Sequence, residues 1–169
     1  MPDDAPDRIA SARVRMLHGY WMEKRGSRRM PARADIDPAE IKSLLPYLLL
    51  ADMHHDPLRV FYRLVGTGVV AAAKCDLTGH WLHEVDLDGN TPAWESVYRR
   101  VAETGAPVFG QTRAAVRPGD ARLFQWVVLP LSDDGAVVDR ALELEDWEML
   151  RLMSEADVRS ATWTLEPMF

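Results

Sequence analysis

The order of extended and helical segments is the feature that most constrains how this chain can fold. A β-hairpin is predicted over residues 48–65, around the turn sequence His54-His55-Asp56-Pro57. An antiparallel meander is predicted over residues 107–145, because Pro118-Gly119-Asp120 and Asp133-Asp134-Gly135 separate three extended segments. Strands segregated from helices in this way predict an α+β fold, a five-stranded antiparallel sheet with helices on one face. The predicted strands are 48–53, 60–65, 107–116, 122–131 and 136–145.

Two helices are predicted ahead of the hairpin. Apolar residues recur at steps of three and four over residues 8–25, and Gly26 ends this amphipathic helix. A second helix is predicted from the N-cap residue Asp37 and has to end before Pro46. The basic segment Lys24 to Arg33 between them contains Gly, Ser and Pro, and we expect it to be irregular.

Two more helices are predicted between the hairpin and the meander. A short helix of small residues follows Gly66. The best-defined helix of the chain covers residues 92–104, with Asn90 or Thr91 as its N-cap and Gly105 as its C-terminal stop.

The composition limits the classes of function. The 169 residues are 47% hydrophobic and 27% charged, which predicts a folded domain. The net charge of -6 is concentrated in residues 132–169, which hold ten Asp and Glu against three Lys and Arg, so we expect no nucleic-acid binding. The longest nearly apolar segment, Leu44 to Met53, is too short to span a membrane, which takes about 20 residues. With Cys75 as the single cysteine and no signal-like N-terminus, we expect a cytoplasmic protein.

A hairpin, a short helix, a longer helix and a three-stranded meander in this order resemble a PAS domain. More narrowly, the chain resembles a single-domain PAS family found mostly in alphaproteobacteria, from about Leu17 to Leu144. This resemblance implies a sensory or regulatory module and says nothing about the ligand. It is carried by the strings Tyr20-Trp21, Arg29-Met30-Pro31, Arg33-Ala34-Asp35-Ile36-Asp37-Pro38, Arg63-Leu64-Val65-Gly66-Thr67 and Asp76-Leu77-Thr78-Gly79.

The chain is therefore divided into three parts. We expect an N-terminal helical extension with the basic loop at 1–43, the PAS domain at 44–145, and a C-terminal helix and tail at 146–169. The tail begins at residue 160. The last helix is predicted from three spaced apolar residues, which are Trp147, Leu150 and Met153.

The resemblance implies a ligand pocket between the inner face of the sheet and the central helix. Apolar alternation over residues 122–131 points Val127 inward, and Gln125 shares its face as a buried polar group that anchors a ligand. The predicted ligand-binding residues are Trp81 near the entrance, Trp94 and Tyr98 on the helix, and Gln125 and Val127 on the sheet.

The opposite face of the same strand carries Trp126 and is expected to need a cover. The N-terminal helix is the predicted cover, in its own subunit or across a homodimer. In either arrangement we expect Met16, Tyr20 and Trp21 to be buried against Trp126.

The string Gly66-x-Gly68-x-x-Ala71 after a strand has the local form of a dinucleotide-binding fingerprint. The preceding strand, however, contains Tyr62 and Arg63, whereas a parallel strand of such a fold is a continuous apolar run. We favour a tight turn in which small residues pack closely. A nucleotide-dependent enzyme is kept as the third alternative.

Metal and cofactor sites find little support. Cys75, His80 and His83 lie on one loop and are too few for a typical zinc site. Residues 92–104 contain no histidine for a haem iron, and Cys75-Asp76 differs from the cysteine-arginine motif of flavin-binding PAS relatives. The cofactor is left unknown.

Two basic residues in the pattern Arg29-x-x-x-Arg33 could bind a phosphorylated ligand such as a cyclic dinucleotide. We favour the interpretation that such arginines hold the loop to carboxylates, for example Glu40 or those of the acidic C-terminus.

We favour a non-enzymatic cytoplasmic PAS module that binds a small molecule, an unidentified signalling protein, or both. The sequence contains no motif for nucleophilic, phosphate-loop or zinc chemistry, and the carboxylates of Glu143 to Glu148 are interpreted as solvated. The alternative is a structural adaptor with a filled PAS core. The candidate residues that fill it are Trp94, Tyr98, Phe109 and Trp126.

The surface that contacts a partner is predicted after the final strand. The acidic segment Glu143 to Glu155 carries an apolar stripe between charges and follows the pocket directly. The basic loop Lys24 to Arg33 is the other candidate. The stripe could equally dock on the protein's own core.

Overall fold

A six-stranded antiparallel sheet organises the chain, with the strand order β2-β1-β5-β4-β3-β6. The computed structural model describes residues 6–150 and 153–169. The predicted α+β fold is confirmed, with one strand more than expected. The strands are β1 (Leu48–His54), β2 (Arg59–Val65), β3 (Val108–Arg117), β4 (Asp120–Leu131), β5 (Arg140–Glu145) and β6 (Thr162–Met168).

The sixth strand corrects the interpretation of residues 160–169 as a tail. β6 pairs antiparallel with β3, from Phe109 opposite Met168 to Ala115 opposite Thr162. Thr and Trp residues favour extended structure here, and Pro167 is tolerated because β6 lies at the sheet edge.

In the described part of the chain, four α-helices accompany the sheet. The first begins later than predicted, because Ser11 is its N-cap and its side chain accepts a hydrogen bond from the Val14 N–H. The short helix and the central helix were predicted close to their observed ends. The helices are α1 (Ala12–Arg25), α2 (Thr67–Ala73), α3 (Thr91–Thr104) and α4 (Glu155–Ser160).

The helix predicted to start at Asp37 is wrong. The chain instead turns and then forms a 3₁₀ helix at Lys42–Tyr47. Pro46 lies inside this segment and has no N–H to donate, which disfavours a longer regular helix here.

The predicted C-terminal helix is also corrected. Trp147–Leu150 is a 3₁₀ helix, and α4 begins only after its N-cap Ser154. Residues 151–152 between them lie outside the described residues. Among the residues that are described, no helix is long and apolar enough to cross a membrane.

The two faces of the sheet are covered by different helices. On one face, α3 packs its Trp94 against Trp126 of β4, with ring centroids 4.8 Å apart. On the other face, Trp21 of α1 donates its indole N–H to the Pro130 carbonyl at 2.8 Å. His18 of the same helix contacts Phe109 of β3 at a centroid distance of 5.0 Å.

The predicted register of β4 is therefore inverted. Gln125 lies on the α1 face, where its Oε1 accepts the Ser11 backbone N–H at 2.8 Å. Val127 is two residues further and shares that face, whereas Trp126 faces α3. Both faces of this strand are apolar and buried, so alternation alone does not decide which face meets α3.

The N-terminal helix covers the sheet within its own chain, but through other residues than expected. Trp21 is buried, whereas Met16 is 56% exposed. Tyr20 is half-buried and donates its hydroxyl to Glu40 at 2.8 Å. None of these three residues reaches Trp126, because the sheet lies between it and α1. The buried stripe of the helix consists of Val14, Leu17 and Trp21.

We predict that Trp21→Ala lowers the free energy of unfolding by about 3–5 kcal/mol, because it removes a fully buried indole and its hydrogen bond. Urea unfolding followed by circular dichroism measures this loss. The matched control is Met16→Ala on the exposed side of the same helix, which should change stability by less than about 0.5 kcal/mol. Equal losses in the two variants would contradict this account of α1.

Candidate functional site

A cavity of about 340 Å³ lies on the α3 face of the sheet. Its floor comes from the sheet, and its sides come from α2, the start of α3, Trp147 and residues 158–165. We call this space the inner cavity. The loop 74–90 after α2 forms part of its rim.

Aromatic side chains form most of one wall of the inner cavity. Phe124 of β4 stacks on Trp147, with centroids 4.3 Å apart and 25° between the planes. Trp163 of β6 lies 5.4 Å from Trp147. Trp94 of α3 lines the same space. The C-terminal residues thus complete a pocket whose other side is built by the sheet and α3.

One glycine allows Trp126 to lie beneath Trp94. Gly110 on β3 is opposite Trp126, and a Cβ at Gly110 would overlap the indole ring. The Trp126 N–H donates to the Thr112 hydroxyl at 3.2 Å, which satisfies the buried indole.

Two buried carboxyl groups form the polar part of the site. Glu143 and Glu145 of β5 point to the α3 face and are 1% and 8% exposed. The Tyr98 hydroxyl donates to Glu143 Oε2, and the Trp147 indole N–H donates to Glu145 Oε2 at 2.6 Å. Glu145 lines the inner cavity. The expectation that these carboxylates are solvated is wrong, because α3 and the C-terminal segment cover this face.

Burial sets the protonation of this pair. It raises the pKa of Glu143 well above the ordinary range, and the neighbouring charge of Glu145 raises it further, against the opposing hydrogen bond from Tyr98. Burial also raises the pKa of Glu145, while hydrogen bonds from Trp147 and Glu143 oppose that shift. Glu143 is therefore the protonated partner. The buried pair keeps this proton to a higher pH than two exposed carboxyl groups would.

The neighbouring tyrosines stay neutral. Burial raises the pKa of Tyr62 and Tyr98 well above the ordinary value, and Glu143, once it is ionised at alkaline pH, raises it further. They therefore act as hydrogen-bonding groups around the carboxyl pair.

Asn90 joins the last strand to the start of α3. Its Nδ2 donates to the Trp163 carbonyl at 2.9 Å, and its Oδ1 accepts the Leu165 N–H at 3.1 Å. The side chain does not cap α3, although the residue stands at the N-cap position. It instead fixes the aromatic wall supplied by β6.

The predicted ligand-binding residues are only partly brought together. Trp94 lines the inner cavity, and Tyr98 lies behind its polar end, on Glu143. Trp81 lies outside the cavity, 5.0 Å from the Phe61 ring and 4.9 Å from the Arg59 guanidinium. Gln125 and Val127 belong to the α1 face.

Sequence reasoning missed Phe124, Glu145, Trp147 and Trp163. Phe124 was hidden by the inverted register of β4. Trp147 was assigned to a partner-binding surface and Trp163 to a tail. One sequence signal could have indicated the site. Two glutamates stand in alternate positions of an otherwise apolar strand, and this pattern is also typical of a polar site inside the core.

The glycine motif has a structural role. Any Cβ at Gly66 or Gly68 would collide with the Pro46 backbone carbonyl. The Pro46 carbonyl thus occupies the space beside these glycines that a dinucleotide phosphate would need. In addition, every strand pairing within the described residues is antiparallel.

The basic loop is held mainly by internal contacts. Arg29 donates to the Thr104 and Ala136 carbonyls at 2.6 and 3.3 Å, and Arg33 donates to the Ile36 carbonyl at 3.1 Å. Lys24 pairs with Glu40 at 2.7 Å. The two arginines therefore bond mainly to backbone carbonyls rather than to the carboxylates we favoured.

The three candidate metal ligands are dispersed. Cys75 is exposed at the rim of the inner cavity, and His80 Nδ1 lies 3.1 Å from the Thr78 carbonyl. Within 6–150 and 153–169, no group of three His, Cys, Asp or Glu side chains could hold a metal ion.

An antiparallel sheet with β1 and β2 at one end, β3 to β5 as a meander and a helix over a cavity defines a PAS-like α+β protein. A family model described as a PAS domain matches residues 9–144. The chain belongs to the PAS-domain family, whose members are typically sensory or regulatory and generally not enzymes.

Two solved structures are among those similar to this chain. The PAS domain of a protein from Colwellia psychrerythraea is 12% identical, with a TM-score of 0.46, and the match covers 63% of this chain and 92% of that one. The light-state structure of the blue-light photoreceptor Aureochrome1 LOV is 10% identical, with a TM-score of 0.42, covering 71% and 91%. No curated protein matches the chain.

We predict that Glu143→Gln makes the protein less sensitive to alkaline pH. In the wild type the unfolded chain releases the Glu143 proton near the ordinary pKa, while the folded chain retains it because its pKa is raised. Folding stability therefore falls as pH rises above about 4.5 toward the raised pKa. The amide is neutral and still accepts the Tyr98 hydrogen bond, so the variant should show a shallower decline.

Urea unfolding at about pH 5, 7 and 9 measures this difference, which should grow with pH. Glu148→Gln removes an exposed carboxyl of the same neighbourhood and serves as the control, with the pH dependence of the wild type. An unchanged slope in Glu143→Gln would show that the buried proton is held elsewhere.

Proposed function

We propose that this chain is a cytoplasmic, non-enzymatic PAS sensory module that binds a small organic molecule in the inner cavity. The observation that carries the proposal is the cavity itself, about 340 Å³ with aromatic walls and a buried carboxyl. Small-molecule sites in proteins have volumes of roughly 300–1,000 Å³ and combine apolar linings with a few polar groups. This space meets both criteria.

The open volume favours ligand binding over a filled structural core. Trp94 and Trp126 do pack together, and Tyr98 is buried beside them. Phe109 points to the other face of the sheet, where it contacts His18. The large side chains of the core thus leave the space beside Phe124 and Glu145 unfilled.

A bound molecule would report its presence through the C-terminal segment. Trp147 and Trp163 line the inner cavity, so an occupant touches residues that lie after the last strand of the meander. Trp147 also stacks on Phe124, which means that the segment is part of the core as well as a candidate contact surface. We propose that a signalling protein contacts this segment.

Homodimer formation stays a prediction. The α1 helix exposes Met16 and Met22, at 56% and 40%, and a second copy could contact them.

The test compares the protein purified from its own host with two matched variants. Ala73 of α2 lines the inner cavity, whereas Ala71 of the same helix is exposed and does not. We expect native mass spectrometry to find a retained small molecule in the wild type and in Ala71→Phe, and to find it lost in Ala73→Phe, because the added ring projects into the cavity and takes up part of the space for the molecule.

Circular dichroism establishes that both variants are folded. A wild-type protein that carries no extra mass would contradict the proposal. Equal retention in a folded Ala73→Phe would place the binding site elsewhere.

A further inference from the structure

We propose that the inner cavity takes a planar aromatic cation, with its charged nitrogen against Glu145 and its ring along the aromatic wall. This inference rests on the proposed function and adds the chemical class of the ligand. It is carried by the position of one buried acid, by the absence of a cationic partner for it among the described residues, and by the geometry of the tryptophans.

Glu145 is the buried acidic group that reaches the inner cavity. It is 8% exposed and lines the space, whereas the other charged side chains of the lining are exposed at the rim. Those rim residues are Lys74, Asp86, Asp88 and Arg159.

No cation of the described chain neutralises this acid. In residues 6–150 and 153–169, no ion pair involves Glu143 or Glu145. The contacts of Glu145 include the Trp147 indole N–H at 2.6 Å, a neutral donor. A buried carboxylate without a counter-charge is costly, and a ligand that brings a cation removes that cost.

The rim supplies no competing site for an anion. Lys74 and Arg159 both pair with Glu155, at 3.4 and 3.1 Å. Asp86 and Asp88 add negative charge to the same rim. An anionic ligand would therefore approach two exposed acids and then lie beside a buried one, which electrostatic repulsion disfavours.

The walls fit a flat ring that carries positive charge. Phe124 and Trp147 are stacked, and Trp163 and Trp94 complete the aromatic surround. The faces of such rings attract cations, and Trp does so most strongly. The indole N–H of Trp147 points to Glu145, so the acid and the ring surface are held in one place.

Three isosteric probes separate charge from shape. Benzamidine is a cation at neutral pH, benzamide is neutral, and benzoate is an anion, while their sizes and planarity are nearly the same. Isothermal titration with the full-length protein measures their affinities. We expect benzamidine to bind about tenfold or more tightly than either of the others, as one charge-assisted hydrogen bond supplies.

Glu145→Gln should abolish this preference, so that benzamidine and benzamide bind alike. Glu148→Gln is the matched control, because it removes an exposed acid three residues away that does not line the inner cavity, and it should keep the wild-type ranking. The ranking of the three probes on the wild type decides the question even if Glu145→Gln fails to fold.

Equal affinities for benzamidine and benzamide, or tightest binding of benzoate, would contradict the proposal that the ligand is a cation. Such a result would not contradict the proposal that the cavity binds a small molecule. If Glu145→Gln keeps the preference for benzamidine, another group holds the cation and the assignment to Glu145 is overturned. Binding of none of the three probes would overturn the proposed class. The proposed function is tested separately, because it is the absence of a retained molecule in native mass spectrometry that would contradict it.

Discussion

Residues 124–131 of β4 and residues 141–145 of β5 are buried on both faces, because α1 covers one side of the sheet and α3 covers the other. Consecutive residues at the end of β5 therefore lie on opposite sides of the sheet, one facing α3 and the next facing α1. Glu145 reaches the inner cavity, while Asp146 accepts hydrogen bonds from Ser11 at 2.6 Å and Arg13 at 3.0 Å at the start of α1. The cavity, the carboxyl pair and the docking of the N-terminal helix all depend on this double burial.

Local sequence signals were sufficient to predict the elements whose ends are marked by capping or turn residues. The central helix was predicted from the residues around its start and from Gly105, which adopts a positive φ of 59° at its end. The hairpin followed from two apolar segments around a turn. The register of β4 did not follow, because a strand that is apolar on both faces has no polar side to mark solvent. Burial by α1 is a tertiary effect, and no local pattern in residues 122–131 encodes it.

The same limit explains which part of the site could be predicted. Trp94 was found because it lies on a helix with a clear apolar face. The sequence pattern predicts that Glu143 and Glu145 are solvated, since alternating acids in a strand usually face water. Their burial depends on α3 and on the C-terminal segment, which are distant in sequence. Trp163 was missed because β6 gains its hydrogen bonds from β3 and Asn90, which are distant in sequence, rather than from a neighbouring turn.

The two sides of the opening of the inner cavity are held by different kinds of contact. Asn90 fastens β6 to α3 through two hydrogen bonds with the backbone, which change little with ionic strength. Across the opening, the end of α2 meets α4 through the Lys74–Glu155 pair, whose side chains are 53% and 67% exposed. Dissolved ions screen an exposed pair of this kind and leave it worth little. For a ligand of the kind proposed, the α4 side of the opening is therefore the side whose contact dissolved ions weaken.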